Sequence, residues 1–259
     1  MKLMRLITWN VNSLRARLPR VLALLERHQP DVVCLQETKV TDDLFPRAEL
    51  EAAGYQSLAH GQRTYNGVAI LSKVAPRESG RGLDDDSDDE QARLVWARFE
   101  GLTAISAYVP NGSEVGSEKW EYKLSWLARA RSLLDRRFDR GEPLALCGDL
   151  NVAPEARDVH DPDRWAESVL FHSAARDALA QVRAWGLVDA FRLHHEEGGL
   201  FSWWDYRMLA FPKNHGLRID HVLVTEPLAK RSRDAFIDRQ ERKGKQASDH
   251  APVVVDFEG

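Results

Sequence analysis

Residues 144–151 read LALCGDLN, an apolar run of strand length that passes Gly148 and closes on two polar residues, Asp149 and Asn151. The same construction recurs along the 259-residue chain. LITWNV (6–11) carries Asn10 near its end and is followed by Asn12. DVVCLQ (31–36) ends on Gln36 and runs into Glu37. RIDHVLV (218–224) holds Asp220 and His221, and Asp249 and His250 stand directly before APVVVDF (251–257). One Asn or Asp at a strand end is ordinarily a turn former. Five such sites in one chain instead describe a polar cluster assembled at one edge of a sheet structure.

Three more β-rich runs, GVAILS (67–72), LVWARF (94–99) and TAISAYV (103–109), bring the strand candidates to eight. Helical patterning falls at RLPRVLALLERHQ (17–29), at EKWEYKLSWLARARSLLDRRF (118–138) and at SAARDALAQVRAWG (173–186), the last with Gly186 as its stop signal. Helices and strands alternate only in part. Residues 54–110, and 200–256 with one short helical interruption, are β-only, which points to antiparallel or mixed pairing. Two packed sheets with helices outside would bury these faces. No linker, low-complexity tract or internal repeat divides the chain, so one domain over residues 1–259 is expected.

Composition narrows the function. No apolar run approaches the roughly 20 residues of a membrane span, and no cleavable leader is read at the N-terminus. The two cysteines, Cys34 and Cys147, each lie inside an apolar run, as buried hydrophobes of a reduced, cytoplasmic protein do. The formal charge is −4, but six acids fall in one stretch, Asp84, Asp85, Asp86, Asp88, Asp89 and Glu90, and without them the balance is +2. That stretch reads as an exposed loop, leaving the remaining surface free to carry a basic groove.

Acids with Asn and His, and no cysteine ligand set, make a hard, oxygen-rich site suited to magnesium, or alternatively manganese. Such a site handles phosphates: the cation neutralises charge, a base or orienting group serves water, and donors meet the developing oxyanions.

Together WNVNSLRAR from Trp9, QETK from Gln36, YVPNG from Tyr108, GDLNVAP from Gly148, FSWWDYR from Phe201, LRIDH from Leu217 and SDHAP from Ser248 resemble the bacterial exonuclease III family of abasic-site endonucleases, within the endonuclease/exonuclease/phosphatase superfamily. The motifs span the chain. GDLN and SDH are shared across the superfamily, whereas YVPNG and FSWWDYR favour its DNA-repair branch.

The resemblance implies an α+β fold, a four-layer αββα sandwich with one active site where two mixed sheets meet. It places a metal on Glu37, helped by Asn10 or Asn12 and by Asp249. Asp149 would position or deprotonate the attacking water, with His250 as rival base, and Asn151 would hold the scissile phosphate. His250 would donate to that phosphate with its tautomer fixed by Asp220, and Tyr108 would lie close to the phosphate or the leaving oxygen. The implied substrate is double-stranded DNA with abasic sites or blocked 3′ ends, cut 5′ to the lesion to leave a 3′-hydroxyl, with accompanying 3′-to-5′ exonuclease and 3′-phosphatase or phosphodiesterase activity; a monomer is the default expectation. A flipped abasic sugar would enter a pocket walled by Trp203, Leu217 and Ile219, with Trp204 and Arg207 bordering the duplex or wedging into it. Trp203 and Trp204 point to opposite faces of a strand, so at most one faces a pocket. Asn111, Gly112, Lys119 and Lys123 would contact phosphates. His160 and His172 lie in a segment that varies among members. Two rival readings share this core: a phosphoesterase of phosphorylated metabolites or lipids, and a non-catalytic DNA-binding module. The filled catalytic positions argue against the second.

Overall fold

The computed structural model describes residues 3–85 and 87–259. Its strands are β1 (Leu3–Asn10), β2 (Val32–Gln36), β3 (Gln56–His60), β4 (Val68–Ser72), β5 (Glu78–Arg81), β6 (Leu94–Phe99), β7 (Leu102–Tyr108), β8 (Leu144–Asp149), β9 (Leu187–Asp189), β10 (Asp220–Thr225), β11 (Ser232–Ile237) and β12 (Val253–Glu258). Helices are α1 (Leu14–His28), α2 (Arg47–Ala52), α3 (Glu118–Arg137), α4 (Pro162–Trp165), α5 (Ser173–Arg183) and α6 (Glu226–Ala229).

The strands form two six-stranded sheets, ordered β11-β12-β1-β2-β4-β3 and β5-β6-β7-β8-β10-β9. Both are mixed: β1 runs parallel to β2 and β7 parallel to β8, and the other pairs are antiparallel. The expected four-layer sandwich follows from strand alternation. Leu6, Cys34 and Ile70 from one sheet meet Ala104, Cys147 and Val222 from the other in the central layer. The outward neighbours Ile7, Val33 and Leu71 pack under Val21, Leu24 and Leu25 of α1. On the far side Ile105, Leu146 and Leu223 pack under Trp126, Leu133 and Leu134 of α3 and Leu179 and Val182 of α5.

Local chemistry fixes the helix ends. Ser117 caps α3, its hydroxyl accepting from the Trp120 N–H, and the last turn carries Arg136 and Arg137, which suit the helix dipole. Helix α1 begins at Leu14, three residues before the pattern read from sequence, with Pro19 inside it. Helix α5 ends at Arg183, and Gly186, at φ +123, lies two residues beyond the cap Ala184. Where β8 passes β7, a Cβ on Gly148 would stand 1.8 Å from the Ala107 carbonyl oxygen, so only glycine lets this strand carry Asp149 to its end.

The acidic stretch is not simply a solvated loop. Asp85 and Asp89 pair with Arg129 of α3 at 2.7 and 2.8 Å, and the Tyr122 hydroxyl donates to Asp89. The Arg129 guanidinium holds the Asp85 carboxyl well below the usual range. Asp86 lies outside the described residues. Cys34 and Cys147 are free and buried between the sheets. No described helix is long and apolar enough to cross a membrane.

Candidate active site

The site follows from the pleat. Asn10 has the parity of Leu6, Gln36 of Cys34, Tyr108 of Ala104, Asp149 of Cys147 and Asp220 of Val222, so all five point into the space between the sheets. Register then sets them side by side: Asn10 opposite Gln36, Asp149 opposite both Tyr108 and Asp220. Beside Asn10, the Gln36 amide donates to Thr8 in its own sheet and to Ser106 in the opposite one. The sandwich therefore ends in a polar mouth.

At its centre a single NH2 of Asn10 donates to Glu37 Oε1 at 2.7 Å and to Asp149 Oδ2 at 2.8 Å. The Asn10 carbonyl oxygen accepts from the Asn12 N–H, which fixes the amide's orientation. Ligand atoms of Glu37, Asp149 and His250 lie within 4.8 Å of one another. Like charges gathered this closely need a cation, and Lys39 supplies part of it, 2.8 Å from Glu37 Oε2. Carboxylate oxygens gathered around one point fit a hard divalent ion, and Glu37 is placed to hold one. Asn12, Glu37, Lys39 and Asn151 all adopt left-handed backbone, at φ 44 to 51. Such strain in non-glycine residues persists where surrounding structure enforces it, and here it turns the side chains off the strand ends into the mouth.

His250 is held from behind: its Nδ1 lies 2.9 Å from Asp220 Oδ2, and its Nε2 faces Asp149 Oδ2 at 3.7 Å. Burial alone would lower the imidazole's pKa, but the charges of Asp220 and Asp149 outweigh it and push the value up to about 10. Burial raises Asp149 to about 7, opposed by His250 and reinforced by Asp220 and Glu37. A protonated His250 is thus a donor, while Asp149 is the group able to take a proton near neutrality.

Around Asp149 the loop turns back so that its Oδ1 accepts from the Asn151 N–H. Asn151 donates to the Val109 carbonyl and accepts from the Asn111 amide at 3.2 Å. Burial, then the Glu37 and Asp149 charges, pushes the Tyr108 hydroxyl well above its ordinary pKa, so it stays a neutral donor.

Asp249 and Asn12 form a neighbouring pair rather than part of the Glu37 group. Asn12 donates to Asp249 Oδ1 at 3.0 Å and accepts from Lys39, while Asp249 Oδ2 accepts the Trp203 indole N–H at 3.1 Å. Trp203 also bridges Leu217 and His250 through the backbone. Its ring lines a groove of about 420 Å³ together with His160, Trp165, Arg207 and His215.

Several sequence expectations are corrected here. Trp204 does not border the groove: it is 0% exposed and packs on Phe201, Phe211 and Ala210. Leu217 and Ile219 are buried in the core cluster against which Trp203 packs, so neither forms an exposed pocket wall. Lys123 is also 0% exposed, its Nζ held by backbone carbonyls, so it does not contact phosphate as expected, while Lys119 is exposed. Asn111 is exposed with Gly112 beneath it, and Arg207 is exposed and paired with Asp205. His172 caps α5 and stacks edge-on against Trp120, and His160 stacks on His215.

Sequence reasoning passed over Lys39, Arg93 and two serines. Lys39 closes QETK, but nothing in its type distinguishes an ion-pair partner from a surface lysine. Arg93 stacks over the Tyr108 ring at 4.9 Å and belongs to no motif. Ser202 accepts from the N–H groups of Ile219 and Asp220, and Ser248 from that of His250, orienting the Asp220–His250 pair from both ends. Both serines lie within motifs read for their other residues.

Residues 7–250 match the model of the Endonuclease/Exonuclease/phosphatase family. The chain is 37% identical to exodeoxyribonuclease III of Haemophilus influenzae over 271 residues, covering 98% of this chain and 100% of that relative. Among solved structures it is similar to an AP endonuclease from Archaeoglobus fulgidus, with a TM-score of 0.96, 40% identity and coverage of 99% and 100%. It is also similar to the 3′ phosphatase NExo from Neisseria bound to a product DNA hairpin, with a TM-score of 0.95, 39% identity and the same coverage.

Proposed function

The chain belongs to the Endonuclease/Exonuclease/phosphatase family as a phosphodiester hydrolase of the exodeoxyribonuclease III kind, and from that premise we propose that it incises duplex DNA 5′ to abasic sites, leaving a 3′-hydroxyl. The same centre would clear blocked 3′ ends and remove 3′ nucleotides. The observation that carries the reading is the closure of Glu37, Asp149 and His250 on one point at the sandwich mouth, with Asp220 behind the imidazole.

In this mechanism Glu37 would hold a divalent cation, for which magnesium is proposed, leaving Asp149 free to take a proton. When bound it neutralises phosphate charge and lowers the barrier to attack. Asp149 accepts the proton of the attacking water. His250, kept protonated by Asp220, donates from Nε2 to a phosphate oxygen, and Asn151 and Tyr108 contribute further neutral donors. Asn111 and Gly112 meet the substrate backbone, and Trp203 stands beside the sugar that replaces a normal nucleotide. We further propose a cytoplasmic monomer.

The test is a labelled duplex with one tetrahydrofuran abasic analogue, incubated with magnesium or with EDTA and mapped at nucleotide resolution. A single magnesium-dependent cut 5′ to the lesion, whose product a polymerase extends, is expected. A cut elsewhere, or a product that cannot be extended, overturns the reading.

A further inference from the structure

Burial lowers the Lys123 pKa to about 7, but its Nζ meets three carbonyl oxygens, which only the protonated ammonium can satisfy with one N–H each. It donates to the carbonyl oxygens of Asn111 at 3.0 Å, Asn151 at 2.7 Å and Val169 at 2.5 Å. An ammonium has three donors and no acceptor, so three carbonyls exhaust it and none remains for a phosphate. The acceptors belong to three separate segments: the turn after β7, the turn after β8, and the chain leading into α5. Two of them also exchange a side-chain bond, Asn111 to Asn151, and the third pairs with the second through the Ala153 N–H and the Leu170 carbonyl. The lysine stem is fitted as closely. A Cβ on Gly112, which has φ +97, would come within 3.1 Å of Lys123 Cδ, and the Trp120 ring centroid lies 5.9 Å from Nζ.

We propose that Lys123 is a positioning residue acting through Asn151: its ammonium clasps three turns, so that the Asn151 side chain meets the substrate phosphate in one geometry. The inference rests on the function proposed above. A buried cation is retained here because no neutral side chain of that length offers three donors to three carbonyls. Without it, buried carbonyls on all three turns lose their partner and the turns part. Asp149 stays at the end of β8 with its Oδ2 on Asn10, and Glu37 stays beside it.

The test separates kcat from KM on the tetrahydrofuran duplex for the full chain, Lys123→Met, Asn151→Ala and the double variant. Lys123→Met is expected to lower kcat about 100-fold, the scale of an ångström-sized misplacement, with KM within about threefold. In the Asn151→Ala background the same change is expected to cost less than about threefold, because its effect passes through the missing side chain. Lys123→Gln, which keeps two donors, recovers part of the rate and replaces the methionine variant if that does not fold. Hydrogen exchange on the same proteins should quicken at residues 109–113, 150–153 and 168–171 and nowhere else. A raised KM with kcat unchanged, a full loss persisting without Asn151, a wild-type rate, or unchanged exchange at these turns each overturns the proposal. Absence of cutting by the unaltered chain would count against the DNA function alone, and the exchange pattern would still decide the clasp.

Discussion

Nε2 of His250 stands 3.7 Å from Oδ2 of Asp149, although His250 precedes β12 of one sheet and Asp149 closes β8 of the other. Neither sheet alone holds the site. The proposed proton acceptor and the proposed donor to phosphate face each other only because the two sheets pack in this register, so the stability of the sandwich and the geometry of the site have one origin.

Asp149→Asn keeps the shape but removes the group proposed to take the water's proton. The expected loss in kcat is about 100- to 10,000-fold, the usual scale of general-base catalysis, with DNA affinity retained. Steady-state kinetics alongside fluorescence anisotropy of a labelled duplex measures both. A loss smaller than about tenfold would transfer the base to another group.

Glu37→Gln leaves a neutral amide where a carboxylate would hold the cation. Magnesium-dependent cutting is expected to fall below detection while the fold, read by circular dichroism, is unchanged. Calorimetric titration should show magnesium binding lost with activity. Full activity at the same magnesium concentration would remove Glu37 from the centre.

The two adjacent tryptophans have opposite assignments. Trp203, half-buried with its indole N–H on Asp249, is expected on Trp203→Ala to lose discrimination between the abasic and intact duplex with a small change in thermal midpoint. Trp204 is fully enclosed, so Trp204→Ala should cost about 3–5 kcal/mol of stability. Urea melts and cleavage ratios on the two variants decide, and the reverse pattern would contradict the assignment.

Behind the site, Arg218 is buried against Asp158 at 2.7 Å and Asp189 at 2.8 Å. Burial alone would raise both carboxyls, but the guanidinium outweighs it and holds them below the ordinary carboxylate range, helped at Asp189 by His221. Because their folded values are depressed, their contribution is fully present above the unfolded value of about 3.9 and is lost as pH falls through the folded values. The urea midpoint should therefore drop steeply below about pH 4. Arg218→Met, which takes the guanidinium from buried Asp189 and leaves Asp158 to Arg192 alone, should cost about 3–5 kcal/mol at pH 7. A midpoint flat from pH 5 to 3 would refute the linkage.

All eight strands read from sequence are interior strands, and the four not read, β3, β5, β9 and β11, are the four sheet edges. An interior strand is covered on its faces and carries the apolar signal. An edge strand such as β5, ESGR, is mostly exposed and reads as loop. The site was legible wherever a residue's role follows from its position at a strand end, as for Asn10, Glu37, Asp149 and Asp220. It was not legible where burial decides. Lys123 and Lys119 share a helix and a charge, yet one lies inside the protein and the other in solvent, and helical spacing alone could not separate them. Trp204 and Leu217 were misplaced for the same reason: an aromatic or aliphatic side chain beside an active site is as often its floor as its wall.

The central claim is that this mouth acts on the phosphodiesters of damaged DNA. The most direct measurement compares kcat/KM on the tetrahydrofuran duplex, the intact duplex, and a panel of inositol phosphates and phospholipid headgroup esters under one magnesium concentration. The account predicts efficient cutting of the abasic duplex, slower attack on intact ends and no release from the small esters. Phosphate release from the small esters with the abasic duplex left whole would contradict it.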